Sequence, residues 1–259
     1  MNNKEDLEWK KLEKILAVPL GIIEKYSRYL QPPVLCDSDD SDRGYHFLKP
    51  NVKHFCLLKM SKAIVSFRAA ICIAKEGFHT EVATLMRVVV ECCTMTNWAA
   101  DIFNKNATNE HKKEVHDYVR AYFLDNMRNK SEIPKVLRIS QKRIHDMHGA
   151  ILDTDRTDIS NDHEKKMASE LMSSVYIRFS KYVHAHYPET MDLYGIKIGE
   201  LSLSGSKGSV KDNESYEILS VFLETVSQAV ASILVLVDRP FQEQLNDEER
   251  DWFLKKIGA

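Results

Sequence analysis

Chain punctuation is scarce here. Nine glycines and seven prolines are spread over 259 residues, and the stretches between them carry apolar residues at intervals of three and four. Glycine and proline are the residues that end helices and allow tight turns. A chain this short of them is confined to long helices with few connections. Hydrophobic residues make up 44% of the sequence, enough to bury a sizeable core. The expected fold is therefore all-α: an antiparallel helical bundle with an N-terminal helical extension.

The pass along the chain gives the order. Asp6 to Leu30 carries a helical stripe of Leu7, Leu12, Ile15, Leu16, Leu20, Ile23 and Tyr26, with a kink or break expected at Pro19. Pro32-Pro33 stops that helix, and residues 31–50 read as a linker with an acidic centre. Asn51 is placed to cap a helix that runs to Gly77. Further helices are expected over Thr80–Phe103, Asn109–Met127, a basic stretch from Pro134, His163–His184 and Asn213–Val237. The glycine-containing stretch from Leu193 to Val210 reads as a short hairpin or a loop. The expected organisation is residues 1–50 as N-terminal helices and acidic linker, 51–240 as the bundle, and 241–259 as an amphipathic tail.

Charge and cysteine content narrow the function classes. The net charge of −2 lacks the basic excess of a duplex-coating protein, so DNA is not an expected partner. Met127–His145 is locally basic, with six cations against Glu132; without interleaved aromatic residues it reads as a solvated face before an RNA contact. Five cysteines with no CxxC spacing suit free thiols in a reducing cytoplasm better than disulfides or zinc. Glu5, Asp6 and Glu8 stand where a secretory signal needs cations. Ile218–Val237 is the most apolar stretch, but Glu224, Gln228 and its serines favour a core helix over a membrane span. Asp37, Asp39, Asp40 and Asp42 lack the glycine and closing glutamate of a calcium loop. His145, His148 and His163 have no carboxylates to complete a metal site. No metal and no cofactor is expected.

Two polar constellations remain. Between Val82 and Ala100 the only charged residues are Arg87 and Glu91. Spaced by four, they share a helix face. A cation N-terminal to an anion opposes the helix macrodipole, so stabilising a lone helix is a poor reason for the pair. It serves either as a buried ion pair that fixes register or as part of a pocket, with Arg87 facing a phosphate or carboxylate. The second constellation is Arg178 to His184, ahead of His186 and Pro188. Histidine supplies an acid/base near neutral pH, and arginine offsets phosphate charge. RNA cleavage by its own 2′-hydroxyl needs those functions and no metal. Six helical positions nevertheless leave the two side chains about 120° apart. Tyr176, Ser180 and His184, spaced by four, do form one stripe.

Gly77, Glu81, Leu85, Arg87 and Glu91, followed by Tyr176, Ser180 and His184, give Asn51–Val237 a resemblance to a family of uncharacterised bacterial all-helical proteins. That family is similar to HEPN domains, the helical nucleotide-binding and RNase domains of toxins and antiviral systems. The resemblance implies a helical bundle, frequent dimerisation and, in active members, a metal-free RNase with an Arg-x4-6-His motif. Here that motif falls on Arg178 and His184, with Phe179 where active members often carry a polar residue. The expectation is thus a cytoplasmic RNA-targeting protein of toxin or phage-defence type, a metal-independent endoribonuclease with Arg178 and His184 as catalytic residues. RNA and a second copy of the chain are its partners, and Arg87, Glu91, Tyr176, Ser180 and His186 line the pocket. The alternative is a non-catalytic module that binds an anionic ligand or a protein through the same pocket.

Overall fold

The computed structural model describes residues 3–36, 44–104, 108–124, 144, 146–147, 162–194, 203–208 and 210–258. The basic run Met127–Arg143, the acidic stretch Asp37–Asp42, His145, His148 and the polar stretch 153–161 lie outside them. Among the described residues the fold is all-α apart from one small ribbon. Helix α1 spans Asn3–Tyr29, α2 Val52–Lys75, α3 His79–Asn104, α4 Asn109–Leu124 and α5 Asp162–Val183. A short turn α6, Tyr187–Thr190, leads into a 3-10 turn, Met191–Tyr194. The long α7 spans Val210–Leu236, followed by the short α8, Arg239–Gln242, and by α9, Asp247–Ile257.

Local chemistry sets the ends of these elements. Asn51 caps α2, its side chain accepting from the Lys53 and His54 amides, as a cap residue does for orphan donors. Asn246 and Glu249 form a reciprocal capping box on α9. Two expectations need correction. First, α1 runs unbroken through Pro19. Proline removes one donor, and burial of Leu16, Ile22 and Ile23 on both sides holds the helix across it. Second, the linker contains structure: β1 (Val34–Cys36) pairs antiparallel with β2 (Gly44–His46), Leu35 opposite Tyr45. Three-residue strands carry too short an alternation to stand out in sequence. Within 195–210, the described residues 203–208 form a turn and no strand.

Antiparallel α2 and α3 form the centre, α7 packs across both, and α5 lies along α3. The core is continuous. Phe55, Phe67, Met86 and Trp98 are fully buried with Val226 and Ile233. Trp98 and Phe55 both meet the Tyr118 ring edge-on, at 5.4 and 5.9 Å between centroids, the favoured aromatic geometry. Trp9, Leu12, Leu16 and Tyr26 of α1 belong to the same core, as do Phe241 and Phe253 toward the C-terminus. Lys25 of α1 meets Glu249 of α9 at 2.5 Å, so the amphipathic tail is clamped to the first helix. Helix α7 is long and apolar enough to cross a bilayer, yet 61% of its most apolar window is buried in the fold. Cys56, Cys92 and Cys93 are buried free thiols, whereas Cys72 faces outward. Burial pushes the Cys92 thiol up to about 11.

The turn 203–208 docks on the α2–α3 connection. The Ser206 amide donates to the Gly77 carbonyl at 2.9 Å. Gly77 and Gly205 both have positive φ, +82° and +86°. A Cβ on Gly205 would sit 2.2 Å from the Glu76 carbonyl oxygen, so only glycine lets the two backbones approach. Gly205→Ala is expected to cost about 2 kcal/mol, from strain at positive φ and the lost approach. Urea denaturation checks this, with a fall in midpoint at unchanged slope.

Candidate functional site

Arg87 lies on the face of α3 that meets α5. Its Nε donates to Ser180 Oγ at 2.8 Å, and Nη2 donates to Tyr176 Oη. Nη2 also stands 2.7 Å from Glu91 Oε1, and Tyr176 Oη donates to that same oxygen at 3.0 Å. The Ser180 hydroxyl donates to the Tyr176 carbonyl at 2.9 Å. The guanidinium also stacks over the Tyr176 ring, 4.7 Å from its centroid, adding a cation–π contact. Four of the residues read from sequence are therefore brought together in one network: Arg87, Glu91, Tyr176 and Ser180.

The network sits at the edge of the core. The Arg87 and Glu91 side chains are 20% and 14% exposed. Burial raises the Glu91 pKa, with Arg87, the Tyr176 hydroxyl and Lys59 pulling it back down. Lys59 lies over the Tyr122 ring, 4.3 Å from its centroid, and burial lowers its pKa. The chemistry is that of a clamp: a cation held by an anion, a phenol and a hydroxyl across two helices.

Arg178 and His184 have different surroundings. Arg178 is exposed and lines a cleft of about 640 Å³ between the start of α3, the second half of α5, α6 and the start of α7. His184 is also exposed, but it does not line that cleft. It follows the last residue of α5, its amide donating to the Ser180 carbonyl at 3.1 Å. The next residue, Ala185, has φ +47°. The Ala185 amide donates to Tyr182, and that of His186 to Lys181, closing the helix in a Schellman arrangement with alanine where glycine is usual. The His184 and His186 rings end 6.4 Å apart. Four residues of the stripe-and-pair set thus meet, while Arg178 and His184 are directed to different places.

Sequence alone gave no pointer to the cleft. Its walls include Phe78, Phe179, Tyr182 and Phe222, with Glu189 and Asp192 from the turn after α5. Tyr182 donates to Asp192 at 2.8 Å; burial and this bond push its pKa up to about 12. At one end His79 Nδ1 lies 2.7 Å from Ser215 Oγ. Its Nε2 stands 3.0 Å from Asp212 Oδ1 without the alignment of a hydrogen bond, which leaves both atoms without an aligned partner. Ser215 is only 3% exposed, so this trio ties the starts of α3 and α7 together and does not present a nucleophile. His79 and Ser215 are 136 residues apart, and no local pattern links them. Among the described residues no group of three or more His, Cys, Asp or Glu side chains gathers around a metal-sized point.

The class defined by these features is an all-helical bundle with a polar clamp between α3 and α5 beside an open cleft. Comparisons with protein-family models, curated proteins and solved structures give no match.

Removing Arg87 leaves Glu91 facing the core edge without its cation. Arg87→Ala is expected to destabilise by about 2 to 3 kcal/mol, below the range for a fully buried pair because part of Arg87 meets water. The double variant Arg87→Met with Glu91→Leu should recover at least half of that loss, because no unpaired charge remains. Chemical denaturation of the single and double variants measures both.

His79 supplies a pH signature. Burial holds its folded pKa below the ordinary 6.5, although Asp212 pulls it upward and Lys211 adds to the lowering. Below 6.5 the unfolded chain therefore binds more protons, and stability falls as pH drops through the window down to the folded value. His79→Gln is expected to flatten the stability–pH curve in that window, read by thermal melts from pH 7.5 to 5.

Proposed function

We propose that this protein is a binding module: a HEPN-like helical bundle that receives a ligand or partner at its polar pocket, with Arg178 and His184 not forming an active site within one chain. The observation that carries this is the occupation of Arg87. Its Nε and Nη2 are engaged by Ser180, Tyr176 and Glu91, so it holds α5 against α3 beside the cleft. Arg178, by contrast, opens onto a cleft that His184 does not line. General acid–base chemistry needs its group within hydrogen-bond reach of the reacting atom, and separate surroundings do not supply that in a single chain. Pocket size also favours binding, since clefts of about 300–1,000 Å³ are the usual scale for small-molecule sites.

A second proposal is an RNA-targeting, metal-independent endoribonuclease of toxin or phage-defence type, with its site completed by a second copy of the chain. One observation favours it. Ala185 is held in a left-handed conformation that costs an L-residue about 1 kcal/mol, and this places two exposed imidazoles side by side. In that arrangement His184 is the acid/base. Arg178 stabilises phosphate charge, and its loss raises the barrier by about 3 kcal/mol.

One assay separates the two. Labelled RNA is incubated in EDTA with wild type and with His184→Ala, and product ends are identified. The binding module predicts no cleavage by either. Products with 2′,3′-cyclic phosphate ends from wild type, and none from His184→Ala, would replace the binding module with the nuclease.

A further inference from the structure

The charges on the cleft wall indicate what it can hold. Glu81, Glu189, Asp192 and Glu214 face Arg178 and Lys211, four carboxylates against two cations. Lys211 is moreover already placed between Asp192 at 3.6 Å and Glu214 at 3.2 Å. Burial keeps His79 low, so it adds little positive charge near neutral pH. Field lines in a cleft with low-dielectric walls are focused on whatever enters, and here they repel an anion.

Two further observations point the same way. Glu189 lines the cleft, and its Oε2 is buried with no hydrogen-bond partner among the described residues. An unpaired buried carboxylate oxygen is costly, and that cost is removed when the side chain turns the oxygen into the cleft to meet a bound cation. The cleft also offers aromatic surface. Phe78 is 37% exposed, Tyr182 stands beside Arg178, and Phe179 and Phe222 pack at 5.4 Å as a tilted pair. Aromatic faces next to a carboxylate form the environment in which an ammonium group with an apolar body is stabilised, by the ring quadrupole and by the charge.

We propose that the cleft between α3, α5, α6 and α7 binds an organic ammonium ligand. Its charged end is directed to Glu189, and its apolar body lies against Phe78 and the Phe179–Phe222 wall. This rests on the binding-module reading and names its ligand class. It also departs from an anionic ligand, the occupant expected from sequence, because the arginine that suggested an anion is held by Glu91 outside the carboxylate-rich wall.

The test is calorimetric titration of the full chain with phenethylammonium, and with inorganic phosphate and adenosine monophosphate as anionic probes. Saturable binding of phenethylammonium at one site per chain is expected, with no binding of either anion. Glu189→Gln should weaken the amine about tenfold, and the exposed Phe78→Ala about fivefold, in line with the loss of a charge contact and a cation–π contact. Phe78→Ala keeps the test valid should Glu189→Gln fold poorly. No saturation by the amine at millimolar concentration, equal affinity in both variants, or binding of phosphate at the site would overturn the proposal. None of these results depends on RNA cleavage, so failure here is distinct from a positive nuclease assay.

Discussion

One guanidinium joins the two halves of the molecule. Arg87 comes from a helix in which it and Glu91 are the only charged residues between Val82 and Ala100, and it is stable there because α5 supplies a phenol and a hydroxyl while α3 supplies a carboxylate. Desolvating the pair costs much of its Coulomb gain, so net stability is a weak account of its presence. Its effect is positional. A guanidinium fork satisfied by partners at fixed angles admits one rotation and one register of α5 against α3.

That register governs the rest of the site. With Tyr176 and Ser180 turned toward α3, Phe179 falls against α7, where it meets Phe222. Arg178 and Tyr182 then turn toward the cleft. The same rotation carries His184 away from it. On the opposite wall, Gly77 and Gly205 let two backbones touch, and His79 with Ser215 and Asp212 holds the starts of α3 and α7 together. The cleft is thus framed by one polar clamp and one tight backbone contact. Its wall carries carboxylates because α6, the 3-10 turn and the N-terminal part of α7 contribute Glu189, Asp192 and Glu214.

Much of this was legible in the sequence where the determinants are local. Helix spans follow from three-and-four periodicity, the cap at Asn51 from its side-chain chemistry, and the tail from its amphipathic pattern. The network was legible in part, because Arg87–Glu91 and Tyr176–Ser180 each lie on one face by spacing alone. Their meeting required tertiary structure. The cleft was not legible, since its residues come from four separated segments. Pro19 misled because a local rule about a missing donor was outweighed by core packing on either side. The Arg178–His184 pairing joins residues that share a motif spacing but not a helix face, and the helix ends at a strained alanine before the geometry can change.

The clamp between Lys25 and Glu249 has a bearing on how the molecule is made. These partners lie 224 residues apart, and the core they close draws on α1, α2 and α7 together. A ribosome delivers α1 long before α7 and α9 exist. Trp9, Leu12 and Leu16 must therefore wait with their apolar stripe uncovered while the remaining helices emerge at about 5–20 residues each second. For roughly ten seconds or more of synthesis at that rate, the nascent chain is an amphipathic helix without its partner, a natural client for a chaperone that shields apolar surface. Completion of the core then waits until α9 has emerged and folds back onto the first helix.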